Sequence, residues 1–390
     1  MNAEIAIVGG GLVGASLAAA LAGCGVSVVV IDPRGPTAVP ANGFDPRVYA
    51  LRPASVSFLE RCAIWGRVDS TRVCSVLEMR VSGDDGRSVL TFDAYRAGLA
   101  YLAVIAEDAN LQRAARATLD ALPLVSVITG RSVVAAQWAQ DRVSLTLDDG
   151  VTLSAALAVA ADGADSRLRA LAGIEVDAHD YGQRAVVANF RAARAHRQTA
   201  FQWFRNDGVL ALLPLPDDQV SLVWSTPQPN AERLTALAPA ELARAVAAAA
   251  FGALGDLELC SGVTSFPLRL MRARRVVAPR LVMVGDAAHN VHPLAGQGLN
   301  LGLADCETLA RLIAARLPVQ SVASPSLLAR YRRSRAEEVF AVQALTDGLQ
   351  RLFEARVPGV KWLRNTGLRL VDRLAPIKRE LVKRAAGAAF

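Results

Sequence analysis

The stretch from Ile5 to Asp32 leaves a chain like this few folds to choose from. Ile5-Ala6-Ile7-Val8 is a short apolar run of strand type. Gly9-Gly10-Gly11-Leu12-Val13-Gly14 follows, a G-x-G-x-x-G turn carried by Gly9, Gly11 and Gly14. Ala15 to Ala22 reads as a helix that ends at Gly23 to Gly25, and Val26 to Ile31 as a second strand closed by Asp32. A glycine turn between strand and helix, with an acid about twenty residues on, is a dinucleotide-binding βαβ unit. Gly9 permits the tight turn, Gly11 lets a pyrophosphate approach the backbone, and Gly14 lets helix and strand pack closely. Asp32 is placed to accept hydrogen bonds from an adenosine ribose. The competing reading is a tight turn without a ligand, and the motif by itself does not separate FAD from NAD.

A second stretch near the far end carries as much chemistry. Leu281 to Val284 is apolar and strand-like, and Leu303 to Leu317 is apolar at helical spacing with Pro318 to stop it. Between them lie Gly285-Asp286-Ala287-Ala288-His289 and His292-Pro293-Leu294-Ala295-Gly296-Gln297-Gly298-Leu299-Asn300, with no carboxylate or basic Lys or Arg between Asp286 and Asp305. A glycine-rich loop ahead of a helix lets a ligand reach backbone, and the helix dipole favours negative charge there.

The rest alternates in type. Pro33 to Arg52 reads as a loop, in which Arg47 has the local look of a solvated charge. Pro53 to Cys62 reads as a helix. Val73 to Val81 and Ser88 to Phe92 read as strands of an inserted hairpin, and Gln112 lies on a helix from about Glu107 as an ordinary polar residue. Three further strands, Leu124 to Thr129, Val133 to Trp138 and Val143 to Leu147, suggest a meander. Leu157 to Ala161 leads into Asp162-Gly163-Ala164-Asp165-Ser166-Arg167-Leu168-Arg169, where Asp165 or Ser166 caps a helix. From Gly182 to Phe266 the chain is β-rich, with one helix at Pro239 to Phe251. Its aromatics suit either a pocket lining or plain core. Ser326 to Glu354 and Lys361 to Ala386 read as long helices, the second basic and amphipathic. That tail suits an anionic membrane or acidic partner as well as it suits a solvated face.

Composition narrows the class. The 390 residues suffice for two domains, and half of them are apolar. Five scattered cysteines without a CxxC pair argue against a disulfide framework or a zinc site, and point to a reducing cytosol. No metal ligand set is expected. A net charge of +7 without a nucleic-acid-binding motif gives no reason to expect nucleic acid. Glu4 and the early glycines make the N-terminus a core strand and helix rather than a signal peptide.

Three motifs in this order, G-x-G-x-x-G, Asp162-Gly163 and Gly285-Asp286, resemble the flavoprotein aromatic hydroxylases of the p-hydroxybenzoate hydroxylase type. The segment His292 to Asp305 is similar to the signature of the ubiquinone-biosynthesis hydroxylases. So are Asp45 to Leu51 and Leu363 to Leu368 with Pro376 and Lys378. Asp32 stands where Glu is more usual, and Arg52 where a small polar residue is expected.

The resemblance implies an α/β fold: a Rossmann-like FAD-binding domain (1–72, 98–180 and 267–340), an inserted β-sheet substrate domain (73–97 and 181–266) and a C-terminal helical region (341–390). It implies FAD held by Gly9, Gly11, Gly14, Asp32, Arg47, Gln112, Asp162, Asp286, Gly298, Leu299 and Asn300. A flavin-ring loop of Pro293, Gly296, Gln297 and Gly298 would assign no acid or base to a side chain. Phe201, Trp203, Leu213, Trp224 and Pro293 would line a substrate pocket. NAD(P)H is the implied transient reductant and dioxygen the co-substrate. The expected substrate is a polyprenylated phenol or quinone precursor, with a small soluble phenol or a non-catalytic subunit as alternatives. Expected partners are other proteins of ubiquinone biosynthesis, and the expected location is cytoplasmic or peripheral on the inner membrane.

Overall fold

The computed structural model describes residues 2–35, 37–83, 88–290 and 297–354. The chain opens with β1 (Asn2–Val8), α1 (Leu12–Ala22) and β2 (Val28–Asp32). It continues through β3 (Val48–Leu51), α2 (Pro53–Arg61), β4 (Val73–Val76), β5 (Glu78–Ser82), β6 (Val89–Asp93), α3 (Ala94–Ala97), β7 (Ala103–Glu107) and α4 (Asp108–Leu119). Next come β8 (Val125–Thr129), β9 (Val133–Trp138), β10 (Val143–Leu147), β11 (Thr152–Ala160) and α5 (Arg167–Leu171). The β-rich part holds β12 (Val176–Ala192), β13 (Thr199–Arg205), β14 (Gly208–Pro214), β15 (Gln219–Pro227), α6 (Gln228–Ala236), α7 (Pro239–Ala249), β16 (Leu257–Leu259) and β17 (Thr264–Ala273). The chain then returns through β18 (Val277–Ala278), β19 (Leu281–Met283), β20 (His289–Asn290), α8 (Gln297–Ala314) and α9 (Pro325–Glu354).

The first sheet has a parallel centre in the order β19-β11-β1-β2-β8. Its strands are apolar on both faces because both faces are covered. Ile5, Ile7, Val28, Val30, Leu157 and Val159 pack under α1, α4 and α8. The alternate residues Ala6, Val8, Val29, Ile31, Ala158 and Ala160 face β9, β10 and α5. From β1 the chain winds outward to β2 and β8, then crosses back to β11 and β19. The order therefore reverses at β1, and a ligand crevice lies outside the carboxyl ends of strands at such a point.

The second sheet has nine strands, ordered β20-β17-β12-β15-β14-β13-β5-β6 with β16 beside β12. Its neighbours are antiparallel except for the parallel pair β13 and β5. One face carries Val186, Phe190, Trp203, Leu210, Leu222 and Trp224, and α6 and α7 bury it with Leu234, Leu242 and Val246. The other face looks back toward a small three-stranded sheet, β3-β7-β4, around Phe44, Val76 and Ile105.

Several elements differ from the sequence reading, each through a long-range partner. The loop expected over Pro33 to Arg52 contains β3, extended because it pairs with β7. The run Val73 to Val81 is two strands in two sheets. At Leu77 the backbone N–H turns away from β7 to the carbonyl of Gln198. Glu258 to Phe266 divides between β16 and the start of β17, and α6 is an additional helix. Hydrogen bonding of the nine-stranded sheet runs back to Val176 and forward to Ala273, past the expected limits at 181 and 266. The expected helix Lys361 to Ala386 lies outside the described residues.

Candidate active site

Four segments leave the carboxyl ends of β1, β2, β11 and β19 and meet above the parallel sheet. The first is the glycine turn. Gly9 has φ +106°, and a Cβ there would lie 2.2 Å from the carbonyl oxygen of Ala161. A Cβ on Gly14 would lie 1.9 Å from the carbonyl oxygen of Gly9. The strand end, the helix start and the end of β11 are thus in backbone contact, which no other residue type permits. Gly11 is the N-cap of α1 without a side-chain cap, so the helix's positive end is open to a ligand.

Asp32, at the end of β2, is buried. Its carboxylate accepts the N–H of Gly10 (2.6 Å) and of Arg34 (2.7 Å). A recess beside it is lined by Gly10, Asp32, Arg34, Thr37, Gln112 and Val127. Thr37 Oγ1 donates to Gln112 Oε1 (2.9 Å), and Gln112 Nε2 donates to Asp108 Oδ1 (2.8 Å). Asp108 also faces Arg47 at 3.7 Å. Gln112 and Arg47, far apart in sequence, are therefore joined through one carboxylate.

Arg47 is exposed and lies 5.7 Å over the Tyr49 ring and 6.0 Å over that of Phe266, on β17. Burial works against its charge, but Tyr49, Asp108 and Asp286 hold it protonated and raise its pKa. The segment carrying it is pinned from α8. Asn300 accepts from the Arg52 N–H (3.0 Å) and the Ser55 hydroxyl (2.7 Å), and donates to the Ala50 carbonyl (2.9 Å). Asn300 thus caps α2 from another helix, at the place where Arg52 offers no side-chain cap.

The Asp162 and Asp286 segments are linked by one buried side chain. Arg169 donates to the carbonyls of Ala287 (2.9 Å) and Ala164 (2.7 Å), and burial lowers its pKa against the pull of Asp162 and Asp165. Asp162 accepts the Leu168 N–H through Oδ2 (3.1 Å). Its Oδ1 is buried without a hydrogen-bond partner among the described residues. Asp286 is exposed, yet the protein around it raises its pKa by burial, against His289 and Arg47. A side chain open to solvent while protein mass encloses it lines a recess, and its access to water makes that rise smaller than full burial would. Asp286 Oδ1 is 3.9 Å from where a Gly298 Cβ would stand, at the start of α8. Gly285, Gly302 and Val13 close the contact between this turn, α8 and α1: a Cβ on Gly302 would come within 2.9 Å of Val13 Cγ2.

Behind Asp286 runs a chain of buried charge. His289 Nε2 meets Asp305 Oδ2 at 2.7 Å, and the same oxygen accepts the Gly285 N–H (2.9 Å). Asp305 Oδ1 accepts from Arg335 Nε (2.6 Å). Arg335 pairs with Glu338, which pairs with Arg52 at 3.2 Å. Burial opposes charge on His289, and Asp305 more than offsets it, so its pKa lies above 6.5. His289 and Arg335 hold the Asp305 carboxyl below its ordinary range despite complete burial.

The expected pocket residues are divided between two faces of the nine-stranded sheet. Phe201, Trp203 and Trp224 lie on the face covered by α6 and α7, the last two nearly fully buried there. Leu213 lies on the opposite face, near Phe44, Ile105 and Ala200. The structure does not bring these four together. Leu213 and Ala211 on β14 and Val223 on β15 are half-buried on that second face, with Ala211 opposite Val223 in register. Pro293 and Gly296 lie outside the described residues, and Gln297 opens α8.

Sequence reasoning passed over Thr37, Tyr49, Asp108, Phe266 and the Arg335–Glu338 pair. Two charges in the buried chain left a signal. Asp305 interrupts the apolar run Leu303 to Leu317, and Arg335 falls four residues after Tyr331 and seven after Leu328, on the buried stripe of α9. A charge on an apolar stripe needs a partner.

Taken together, an open helix N-terminus, a partnerless buried carboxylate oxygen and a recessed acid at a topological switch fit a dinucleotide laid across four strand ends. The architecture and site define a dinucleotide-binding α/β protein, and the family and relatives that match it make it an FAD-dependent aromatic monooxygenase. A family model described as "FAD binding domain" matches residues 2–346. The ubiquinone hydroxylase UbiL of Rhodospirillum rubrum is 38% identical over 387 residues, covering 99% of this chain and 90% of that protein. The 3-demethoxyubiquinol 3-hydroxylase of Escherichia coli is 35% identical, covering 98% of each. The p-nitrophenol 4-monooxygenase PnpA of Pseudomonas putida shares the fold, with a TM-score of 0.81 at 19% identity over the whole of both chains. The chain belongs to the ubiquinone-biosynthesis hydroxylase family, and FAD is its cofactor.

Proposed function

We propose that this enzyme hydroxylates the aromatic ring of a polyprenylated quinone precursor in ubiquinone biosynthesis, with NAD(P)H as reductant and dioxygen as co-substrate. The observation that carries this reading is the mutual contact of the four strand-end segments, closed on α8 by Gly285, Gly302 and Val13. The names of the two relatives support the substrate class. When bound, FAD supplies the redox chemistry with reductant and dioxygen that protein side chains lack.

The chain's own residues bind, orient and exclude water. In this proposal Gly9, Gly11, Gly14 and Asp32 hold the ADP half of the cofactor. Gln112, Arg47 and Asp162 serve its middle, and Asp286, Gly298, Leu299 and Asn300 its flavin end. The first N–H groups of α8 would present positive potential to the flavin end of the bound cofactor. A preorganised donor of this kind contributes roughly 3 kcal/mol in favourable cases. Asn300 acts through its hold on Ala50 to Ser55, which keeps the Arg47 segment against α8.

The substrate ring is assigned to the space between the FAD-binding domain and the second face of the nine-stranded sheet, bordered by Ala211, Leu213, Val223 and Phe266. The division into a discontinuous FAD-binding domain and an inserted sheet domain belongs to the same proposal, with the crossings near Leu77, Val176 and Ala273. Among the described residues no helix is long and apolar enough to cross a membrane. A substrate this apolar favours peripheral contact with the inner membrane, for which the basic segment 361–386, outside the described residues, is the candidate.

The test has two parts. Purified protein is expected to take up FAD and to turn over a prenylated phenol in preference to a carboxylated one. Cells lacking the gene are expected to accumulate one quinone precursor that the restored gene consumes. A colourless protein that FAD does not reconstitute, or a normal quinone pool without an accumulating intermediate, overturns the proposal.

A further inference from the structure

The charge chain behind the site reaches three of the segments that meet around the cofactor. Asp305 on α8 accepts the N–H of Gly285, which fixes the turn carrying Asp286, and it also binds His289 at the end of that turn. Arg335 on α9 binds Asp305 through Nε, and through Nη2 it donates to the carbonyl of Leu301 (3.3 Å), in the first turns of α8. Glu338, one turn further along α9, joins Arg335 to Arg52, whose backbone N–H is held by Asn300. Arg335 and Asp305 are 5% and 0% exposed, so these contacts are desolvated and charge-assisted. Tyr331 adds a hydrogen bond to the Met283 carbonyl (3.0 Å), at the end of β19 just before the Asp286 turn.

We infer that Arg335 and Glu338 of α9 are positioning residues for the cofactor: the pair clamps the Asp286 turn, the start of α8 and the Arg47 segment into one preorganised cradle. This rests on the reading of those three segments as the flavin end of the site. A buried guanidinium is suited to the task because its planar fork reaches a carboxylate and a carbonyl at once. It touches neither Asp286 nor the recess directly, so its influence passes through Asp305 and His289. Arg52, which departs from the small residue expected there, is the outer member of the clamp, and it extends the clamp from α8 to α2.

The experiment compares FAD dissociation constants with the melting temperature of the apoprotein. Arg335→Met is expected to weaken FAD binding by at least tenfold, and Arg335→Lys by less. Glu338→Gln, at a partly exposed position, is expected to weaken it two- to fivefold while leaving a folded apoprotein. Leu328→Ala, a core substitution about two helical turns before Arg335 with no hydrogen bond or ion pair to the charge chain among the described residues, serves as the control for loss of stability alone. It is expected to lower the melting temperature with FAD affinity within twofold of the unchanged protein. The visible spectrum of bound FAD is expected to shift in the Arg335 and Glu338 variants and not in Leu328→Ala. If Arg335→Met does not fold, Glu338→Gln and Arg52→Gln decide the matter. The inference is overturned if the folded variants bind FAD as tightly as the unchanged protein, or if affinity follows melting temperature on one line that includes Leu328→Ala. An unchanged protein that itself binds no FAD would instead overturn the reading beneath it.

Discussion

The parallel sheet and the nine-stranded sheet both bury apolar strands, yet they commit their residues to the site in different ways. In the parallel sheet both faces are filled, and the chemistry is moved off the strands onto their carboxyl ends. Backbone contacts at Gly9, Gly14, Gly285 and Gly302 then determine the geometry, and side-chain identity matters at a few acids. In the nine-stranded sheet the strands themselves carry the boundary of the proposed substrate space. One face is sealed by α6 and α7, and the other is left half-buried at Ala211, Leu213 and Val223. A substitution in the first region should act on the cofactor all or none. In the second region its effect should depend on which face of the strand it occupies.

The largest effect is expected at Gly14→Ala. The new Cβ would stand 1.9 Å from the Gly9 carbonyl oxygen, so α1 must move off β1. Overpacking of this kind costs about 1–3 kcal/mol or more, and here the displaced helix start is the proposed pyrophosphate site. FAD titration of the folded variant should show no saturable binding. Retained affinity would mean that the glycine contact is only a packing feature.

Next in size is Trp203→Ala. Removing a large aromatic from the core beneath α6 and α7 should cost about 3–5 kcal/mol in denaturant unfolding. Because that face is covered by α6 and α7 and lies opposite the proposed substrate space, the phenol KM of the folded remainder should stay within about twofold, since remote core losses act through stability. A raised KM with little loss of stability would place Trp203 in the pocket and erase the distinction between the two faces. Ala211→Leu is the complementary case. Its side chain is half-buried on the open face, so stability should change by no more than about 0.5 kcal/mol. The added bulk should raise the KM of the ring substrate about tenfold or more, since a single methylene in a tight pocket is already worth about 1–3 kcal/mol. An unchanged KM would move the substrate away from β14.

These contrasts explain what could be read from the chain alone. Gly9, Gly11, Gly14, Asp162 and Asp286 could be singled out from the sequence because their setting is local: a strand, a tight turn, then a helix. Asn300 could be proposed from the sequence as a site residue, but its partners Ala50, Arg52 and Ser55, some 250 residues away, could not be read there, since they come from a different element. The aromatic residues stayed ambiguous in the sequence for a simple reason. Phe201, Trp203 and Trp224 look like pocket residues by type, while strand parity and register decide which face they take. Parity turns on the pairing of β12 to β15, a property of the sheet and not of any one strand. The Asp305–Arg335 pair could have been suspected as charges on apolar stripes, but only the packing of α8 on α9 makes them partners.

The smallest expected effect probes that pair and the His289 beside it. His289 has its pKa raised by Asp305, so its stabilising contribution is complete below its ordinary value of 6.5 and is lost as pH rises through the higher native value. Asp305 behaves in the opposite sense. Its lowered pKa contributes stability above its ordinary 3.8, which is lost only as pH falls through the native value. Between pH 3.8 and pH 6.5 both charges are present. The stability deficit of His289→Gln, measured by urea unfolding, should therefore be larger at about pH 6 than at about pH 9. Glycine contacts have no proton to lose, so a deficit in Gly302→Ala should be flat over the same range. If the His289→Gln deficit instead grows toward alkaline pH, the buried imidazole is neutral in the native state. The turn carrying Asp286 would then be held by a neutral hydrogen bond rather than by an ion pair, and the electrostatic part of the site would end at Asp305.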